Sequence, residues 1–166
     1  MGSSFVCSSC GETHEGLPTD YGWQLPDEVW AIPEPIRSER AKYNGDLCQL
    51  GDRRFIRCLL KLPFRRGDDD YYAWGVWIEL SPRDFDRYVE LYDEDGSAEP
   101  RVSGSIANSI PGYAETLRLP AMVQFQDSSS RPTVHVPSTT DHALASDQFD
   151  GIDDRRYHEI LASIGR

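Results

Sequence analysis

Two cysteines near the N-terminus carry the most specific chemical signal in the chain. Cys7 and Cys10 are separated by Ser8 and Ser9 and are followed by Gly11. Two residues between thiolates let one tight turn present both sulfur atoms to a tetrahedral ion, and glycine permits the backbone reversal. The spacing therefore predicts a structural zinc site.

A closed zinc site needs two more ligands, and the chain has no second Cys-x-x-Cys. The remaining candidates are His14, Cys48, Cys58 and His142. His14 is near enough in sequence to close a local ring, and Cys48 would tie the segment to the first strand of a sheet, so we favour this pair. Cys58 shares the apolar face of a predicted strand with Ile56 and Leu60 and is predicted to be a buried thiol.

Two other interpretations of Cys7 and Cys10 stay open, a pair of reduced surface thiols and a redox dithiol. A redox dithiol normally opens a helix whose dipole lowers the pKa of the nucleophile. Gly11, Gly16 and Pro18 oppose such a helix here. Redox catalysis is therefore disfavoured.

A second candidate site lies on a predicted strand pair. Arg57 and Lys61 alternate with apolar residues on one strand, and Tyr71 and Trp77 share the corresponding face of the next. Either another element covers this face, or the face is a groove that offers cations beside aromatic rings to an anionic ligand. The four residues are our predicted ligand-binding set.

Local signatures of catalysis are missing from the chain. It contains no Gly-x-Ser-x-Gly, phosphate-binding loop, Gly-x-Gly-x-x-Gly or His-Glu-x-x-His. The acidic run at 93–96 does not fit a calcium loop, because the first and twelfth ligand positions would be Leu91 and Val102. It is predicted to be a solvated turn.

Composition limits the classes of partner. The 166 residues carry a net charge of −11, which repels nucleic acids and anionic membranes and favours a basic protein partner. No run of 18 apolar residues and no signal-peptide pattern is present, so we expect a cytoplasmic protein with reduced thiols. Length and composition predict a single domain over 1–166, with the cysteine knuckle at 5–18.

The elements that position these residues follow from hydrophobic periodicity. Strands are predicted at 46–50, 55–64, 71–80, 102–107, 121–126 and 133–136. Helices are predicted at 36–43, after Ser81-Pro82, and after Asp153, where Ser and Asp are suitable N-caps. The expected fold is α+β, a mostly antiparallel sheet with a few packing helices and an N-terminal zinc-knuckle-like segment.

Several short motifs together resemble a bacterial domain-of-unknown-function family, number 2199. They include Cys7 to Gly11, His14 to Pro18, Asp46 to Cys48, Trp74 to Trp77 and Ile110 to Tyr113. The resemblance spans almost the whole chain. It implies that Cys7, Cys10, His14 and Cys48 belong to one pattern, whereas Cys58 does not, and it implies no activity or substrate.

Two functional hypotheses follow. The first is a zinc-stabilised acidic binding or regulatory module, immunity-like or otherwise devoted to protein–protein interaction. The second is a metal-dependent enzyme whose site is assembled from distant residues, with an open position on the metal for water.

Overall fold

The computed structural model of the chain describes residues 21–65 and 70–164, together with the backbone of residues 5–6, 13–14 and 20. Over these residues the protein is α+β, as predicted. Its strands, β1 to β10, are Phe5–Val6, Thr13–His14, Asp20–Gly22, Ala41–Tyr43, Leu47–Leu50, Arg53–Pro63, Tyr71–Leu80, Val102–Ile106, Pro120–Gln124 and Thr133–His135. Its helices, α1 to α5, are Asp27–Trp30, Ile36–Arg40, Pro82–Glu90, Ala143–Asp150 and Asp154–Ser163.

The long hairpin of β6 and β7 is the centre of the sheet. Its antiparallel register runs from Arg54 opposite Leu80 to Pro63 opposite Tyr71. Alternation along each strand sends one set of side chains into the main core. That set comprises Ile56, Cys58, Leu60, Leu62, Trp74, Val76, Ile78 and Leu80. The predicted hairpin and the predicted burial of Cys58 are confirmed.

The sheet closes on itself. The free edge of β7 pairs with β8, which pairs with β9, which pairs with β10, all antiparallel. Strand β10 then returns to β6 in parallel, with Thr133 opposite Leu59. Strands β3 and β5 add to the outer edges of β7 and β6, and β4 extends β5. Closure shields strand edges that would otherwise be open to solvent.

Three helices fill the main core against this sheet. Phe85 comes from α3, Leu144 from α4, and Tyr157 and Ile160 from α5. Helix α3 begins as predicted: the Ser81 hydroxyl accepts a hydrogen bond from the Asp84 N–H at 3.1 Å. The same capping logic holds at Asp153, whose carboxylate accepts from Arg156 N at 2.8 Å.

A second, smaller apolar cluster lies on the opposite face of the β6–β7 hairpin. Helix α1 covers it, so that Val29 packs with Phe55 and Trp77. The buried Asn108 fixes the covering segment, donating to Leu25 O at 3.1 Å and accepting from Trp77 N at 2.8 Å. This part of the hairpin is therefore buried on both faces.

The segment predicted as a helix over 36–43 is divided. Helix α2 ends at Arg40, and Ala41–Tyr43 forms β4. Asn44 makes a turn between two strands, because its side-chain oxygen accepts from the N–H groups of Asp46 and Leu47. Pairing with β5 overrides local helix propensity here. Within the described residues, no helix has the length and apolar character needed to cross a membrane.

Candidate functional site

A cleft of ≈ 660 Å³ opens where β6, α3 and the loop between β9 and β10 meet. That volume is within the usual range of ligand sites, roughly 300–1,000 Å³. Its lining residues are Asp46, Leu59, Lys61, Tyr71, Tyr88, Leu91, Tyr92, Gly96, Phe125, Gln126, Asp127, Ser128, Ser129, Ser130, Arg131 and Thr133. We call these parts the strand wall (59, 61, 71 and 133), the helix wall (88, 91, 92 and 96) and the loop wall (125–131).

The strand wall carries a cation beside an aromatic ring. Alternation along β6 places Leu59 and Lys61 on the face away from the main core. The Lys61 ammonium lies 4.7 Å from the centroid of the Tyr71 ring, which is within the range of a cation–π contact. Lys61 forms no ion pair with any carboxylate of residues 21–65 and 70–164.

The helix wall is aromatic. Tyr88 and Tyr92 are one helical turn apart and meet edge to face, with 5.9 Å between ring centroids. Tyr88 also packs on Phe125 of the loop wall at 5.1 Å. Burial raises the pKa of Tyr88, and the negative charge of Asp46 adds to that effect. The phenol is therefore neutral at physiological pH.

The loop wall is a compact serine-rich turn. Asp127 organises it by accepting from the Ser129 N–H at 3.0 Å and from the Ser129 hydroxyl at 2.7 Å. These hydrogen bonds, the hydroxyl bond first, lower the pKa of Asp127. An ionised carboxylate is thus fixed at the exposed rim of the cleft.

Asp46 joins the helix wall to the loop wall. One carboxylate oxygen accepts a hydrogen bond from the Tyr92 hydroxyl, and the other lies 3.3 Å from Arg131 Nε. Asp46 sits just before β5, whose pairing with β6 fixes its position. The walls are therefore held by one carboxylate with two partners from separate elements.

The lining residues do not form a recognisable catalytic group. Hydroxyls are plentiful, but no histidine or cysteine is among the lining residues, so no serine there has the histidine partner of the common Ser–His pairs. His142 is engaged elsewhere, as the N-cap of α4. Within the described ranges, no three His, Cys, Asp or Glu side chains lie close enough to share a metal ion. The arrangement is suited to binding.

Comparison with known proteins places the chain in a family. A family model described as an uncharacterized protein conserved in bacteria, DUF2199, matches residues 6–152. The chain belongs to this family. The match confirms the resemblance seen in the sequence motifs and covers all the residues that line the cleft. No curated protein and no solved structure matches the chain.

The four residues of the predicted ligand-binding set separate in the structure. Lys61 and Tyr71 line the cleft. Arg57 lies on the same face of β6 two residues before Leu59, just outside the lining. Trp77 is fully buried beneath α1, and its indole N–H donates to Trp23 O at 2.9 Å. A ligand in the cleft therefore meets Lys61 and Tyr71 but not Trp77.

The predicted metal ligands fall mostly outside the described residues. Cys7 and Cys10 lie there entirely, and of His14 only the backbone is described, within β2. Cys48 is described: it is fully buried in the apolar cluster under α1. Burial raises the pKa of the Cys48 thiol to about 11. The zinc assignment stays a prediction.

Sequence reasoning did not anticipate the helix and loop walls as parts of one site. Tyr88 and Tyr92 recur at the spacing of a core-facing stripe, and their role in a cleft depends on which face of α3 the sheet leaves open. Residues 127–131 carried only a loop signal. The contacts of Asp46 join the helix wall to the loop wall, and Asp46 is 46 residues from Tyr92 and 85 residues from Arg131 in sequence.

Proposed function

We propose that this protein is a binding module that receives a basic segment of a partner protein in the cleft. The observation that carries the proposal is the combination of a cleft of ligand-binding size with aromatic walls and acidic positions on its rim.

The charge around the helix wall favours a cationic occupant. Directly after Tyr92 come Asp93, Glu94 and Asp95, all exposed. Asp127 adds a carboxylate from the loop wall. Arg131 is paired with Asp46, and the other lining cation, Lys61, belongs to the strand wall, so the exposed acids set the sign of the rim beside the helix and loop walls. A net charge of −11 also steers a basic partner toward the protein at long range.

The aromatic residues supply the contact area. Tyr71 and Tyr92 are each 38% exposed, and both line the cleft. Exposed tyrosines offer rigid, amphipathic surfaces at low entropic cost, and their rings attract arginine and lysine side chains. A basic peptide would thus find both hydrophobic contact and charge complementarity.

A structural zinc ion in the N-terminal segment is part of the same proposal. Strands β1 and β2 pair antiparallel, with Phe5 opposite His14, and Cys7 and Cys10 lie between the two strands in sequence. This order along the chain fits a knuckle in which Cys7, Cys10 and His14 hold the ion. Cys48 fits less well, because its described neighbours are apolar. When bound, zinc would stabilise the fold of this segment.

Fluorescence anisotropy with labelled octa-arginine tests the binding proposal, with labelled octa-glutamate as the charge-reversed probe. We expect saturable binding of octa-arginine only. A rim variant, Glu94→Gln with Asp127→Asn, should weaken it, because each rim charge contributes roughly 0.2–1 kcal/mol. Asp127 lines the cleft, and Glu94 lies between the lining residues Tyr92 and Gly96. The matched control, Glu39→Gln with Asp52→Asn, neutralises two exposed acids on α2 and in the turn between β5 and β6, neither of which contributes to the lining. Equal weakening by both pairs would show non-specific attraction and overturn the proposal.

A further inference from the structure

Arg57 has an unusual setting on the outer face of the hairpin. Its guanidinium lies over two glycines that pair with each other in β3 and β7, Gly22 and Gly75. A β-carbon on Gly22 would lie 2.7 Å from Arg57 Nη2, and one on Gly75 would lie 3.7 Å from the same atom. Glycine at position 22 is therefore what leaves room for the guanidinium. We call this surface the Arg57 shelf.

The guanidinium has no acceptor within the described part of the chain. Its Nε is buried and makes no hydrogen bond, and the side chain takes part in no ion pair there. Seven other arginines of the described ranges are paired with carboxylates: Arg37, Arg53, Arg87, Arg118, Arg131, Arg155 and Arg156. A half-buried guanidinium without an acceptor is costly, because its hydrogen-bonding groups are removed from water without replacement.

Among the described residues, no free negative charge compensates the Arg57 guanidinium. Burial lowers the pKa of the Arg57 guanidinium, and the charge of Arg131 lowers it further. Of the described carboxylates, only Asp46 acts in the opposite direction, and it is already paired with Arg131. Arginine nevertheless stays charged at every physiological pH. An anion beside Arg57 would remove the imbalance.

A second cation without a carboxylate partner among the described residues lies along the same strand. Lys61 is on the same face of β6, four residues further on, which corresponds to about 13 Å of extended chain. Between the two cations lie Leu59, Gly75 and Ala73, with no charged side chain among them. This strip leads from the Arg57 shelf into the strand wall of the cleft.

We propose that the Arg57 shelf is a subsite for an oxyanion, a carboxylate or a phosphate group, on a ligand whose body extends along Leu59 toward Lys61 and Tyr71. A guanidinium can hold either group through two parallel hydrogen bonds, a geometry that lysine cannot supply. The subsite lies on the strand side of the cleft and does not depend on the basic partner proposed for the helix and loop walls.

The Nε–H resonances of arginine in ¹H–¹⁵N spectra provide the test. Inorganic phosphate, glutarate and chloride are titrated separately into the full chain at constant ionic strength, and the Arg57 resonance is assigned by its loss in Arg57→Lys. We expect a saturable shift of this resonance with phosphate, with glutarate, or with both. A response to phosphate alone assigns a phosphate ligand, and a response to glutarate alone assigns a carboxylate. The same shift with chloride would identify an adventitious ion only and overturn the proposal.

Three variants test whether the anion binds to the Arg57 guanidinium where it lies over Gly22. Because Arg57→Gln has no Nε–H, binding to the variants is followed through the backbone amide resonance of Gly75, which lies beside the guanidinium. Arg57→Gln should weaken binding of the responding anion by about tenfold or more, the loss expected for a charge-assisted hydrogen-bonded contact. Gly22→Ala keeps the charge but displaces the guanidinium, and should also weaken binding. Arg40→Gln, an exposed arginine on α2, is the matched control and should change nothing. Anion affinity unchanged in Gly22→Ala would overturn the shelf even if Arg57→Gln failed to fold. Binding of octa-arginine is measured in a separate experiment, so the oxyanion subsite and the basic-partner proposal can each fail without the other.

Discussion

Arg57 Nη2 lies 2.7 Å from the position that a β-carbon on Gly22 would occupy. Because the obstructing atom is the end of a flexible side chain, Gly22→Ala should cost little stability, less than about 1 kcal/mol. Gly75→Ala is the contrasting variant, since its β-carbon would lie 3.3 Å from the α-carbon of Gly22 and would press on the backbone of β3. Urea denaturation should rank Gly75→Ala as the more destabilising change. The reverse order would show that Arg57 is held rigidly.

A third glycine is required by packing inside the closed sheet. A β-carbon on Gly104 would lie 2.5 Å from Ile78 Cγ2 and 2.8 Å from the carbonyl oxygen of Glu79. Gly104→Ala should therefore destabilise the protein by about 1–3 kcal/mol, as overpacking typically does. Gly45→Ala is the control, because nothing lies within 4 Å of its β-carbon. Equal melting temperatures for the two variants would contradict this packing.

The β6–β7 hairpin and the start of α3 could be predicted from the sequence because hydrophobic alternation, turn residues and capping residues all favoured the same elements. Strand β7 has the predicted bounds, 71–80, and β6 differs by two residues at its start and one at its end. In both strands apolar residues alternate along one face. The helix start at Ser81-Pro82 combines an N-cap side chain with a proline whose fixed φ already suits a helix. Such elements need no knowledge of distant partners.

Neither the closure of the sheet nor helix α4 could be predicted from the sequence. Closure depends on a parallel pairing between Thr133 and Leu59, which no local pattern specifies. Helix α4 begins after His142, whose imidazole accepts from Leu144 N at 3.0 Å, and histidine is not among the residues that mark helix starts. The cleft shares this limitation, because its walls meet through tertiary contacts of Asp46.

A salt-bridge cluster predicts how stability depends on pH. Arg53 lies between Glu28 of α1 and Glu79 of β7 and bonds both carboxylates. The Arg53 hydrogen bond lowers the pKa of Glu28, with burial opposing it and the charges of Arg53 and Arg118 assisting. A carboxyl whose pKa is depressed on folding stabilises the protein above its unfolded pKa, and this contribution is lost as the pH falls through the folded pKa.

Arg53→Gln should accordingly lower the free energy of unfolding by about 1–2 kcal/mol at pH 7. The difference from the natural chain should shrink as the pH falls below the ordinary range of glutamate and Glu28 becomes protonated. Urea titrations between pH 3 and pH 7 measure it, with Arg40→Gln as control. A difference that stays constant over this range would remove Glu28 from the explanation.

The metal assignment predicts about one zinc ion per chain in protein purified without a histidine tag, measured by elemental analysis. Cys7→Ser should lose the metal and lower the melting temperature, because metal-binding energy in such sites is folding energy. Ser9→Ala is the neighbouring control and should retain zinc. Retention of zinc by Cys48→Ala would remove Cys48 from the ligand set. Undetectable zinc in the natural chain would refute the site.

Asn108 is a fully buried polar residue on which the covering segment of α1 depends. Its amide nitrogen donates to Leu25 O at 3.1 Å and to Asp27 Oδ1 at 2.9 Å, and its oxygen accepts from Trp77 N at 2.8 Å. Asn108→Ala leaves the Trp77 N–H and the Leu25 carbonyl without partners. We expect it to lower the free energy of unfolding by about 2–4 kcal/mol, since each unsatisfied buried group costs about 1–3 kcal/mol.

Asn108→Asp separates shape from hydrogen bonding. The new carboxylate has the same outline but places negative oxygens against Leu25 O and the carboxylate of Asp27. Burial and repulsion raise its pKa above the unfolded value, so the variant should be least stable at neutral pH and recover as the pH falls and the group is protonated. Urea denaturation at pH 7 and pH 5, compared with Asn108→Ala, measures this. We expect the aspartate variant to gain stability relative to the alanine variant at pH 5, because a protonated carboxyl can again donate toward Leu25 or Asp27. Parallel behaviour of the two variants would mean that position 108 is open to water and does not hold α1 in place.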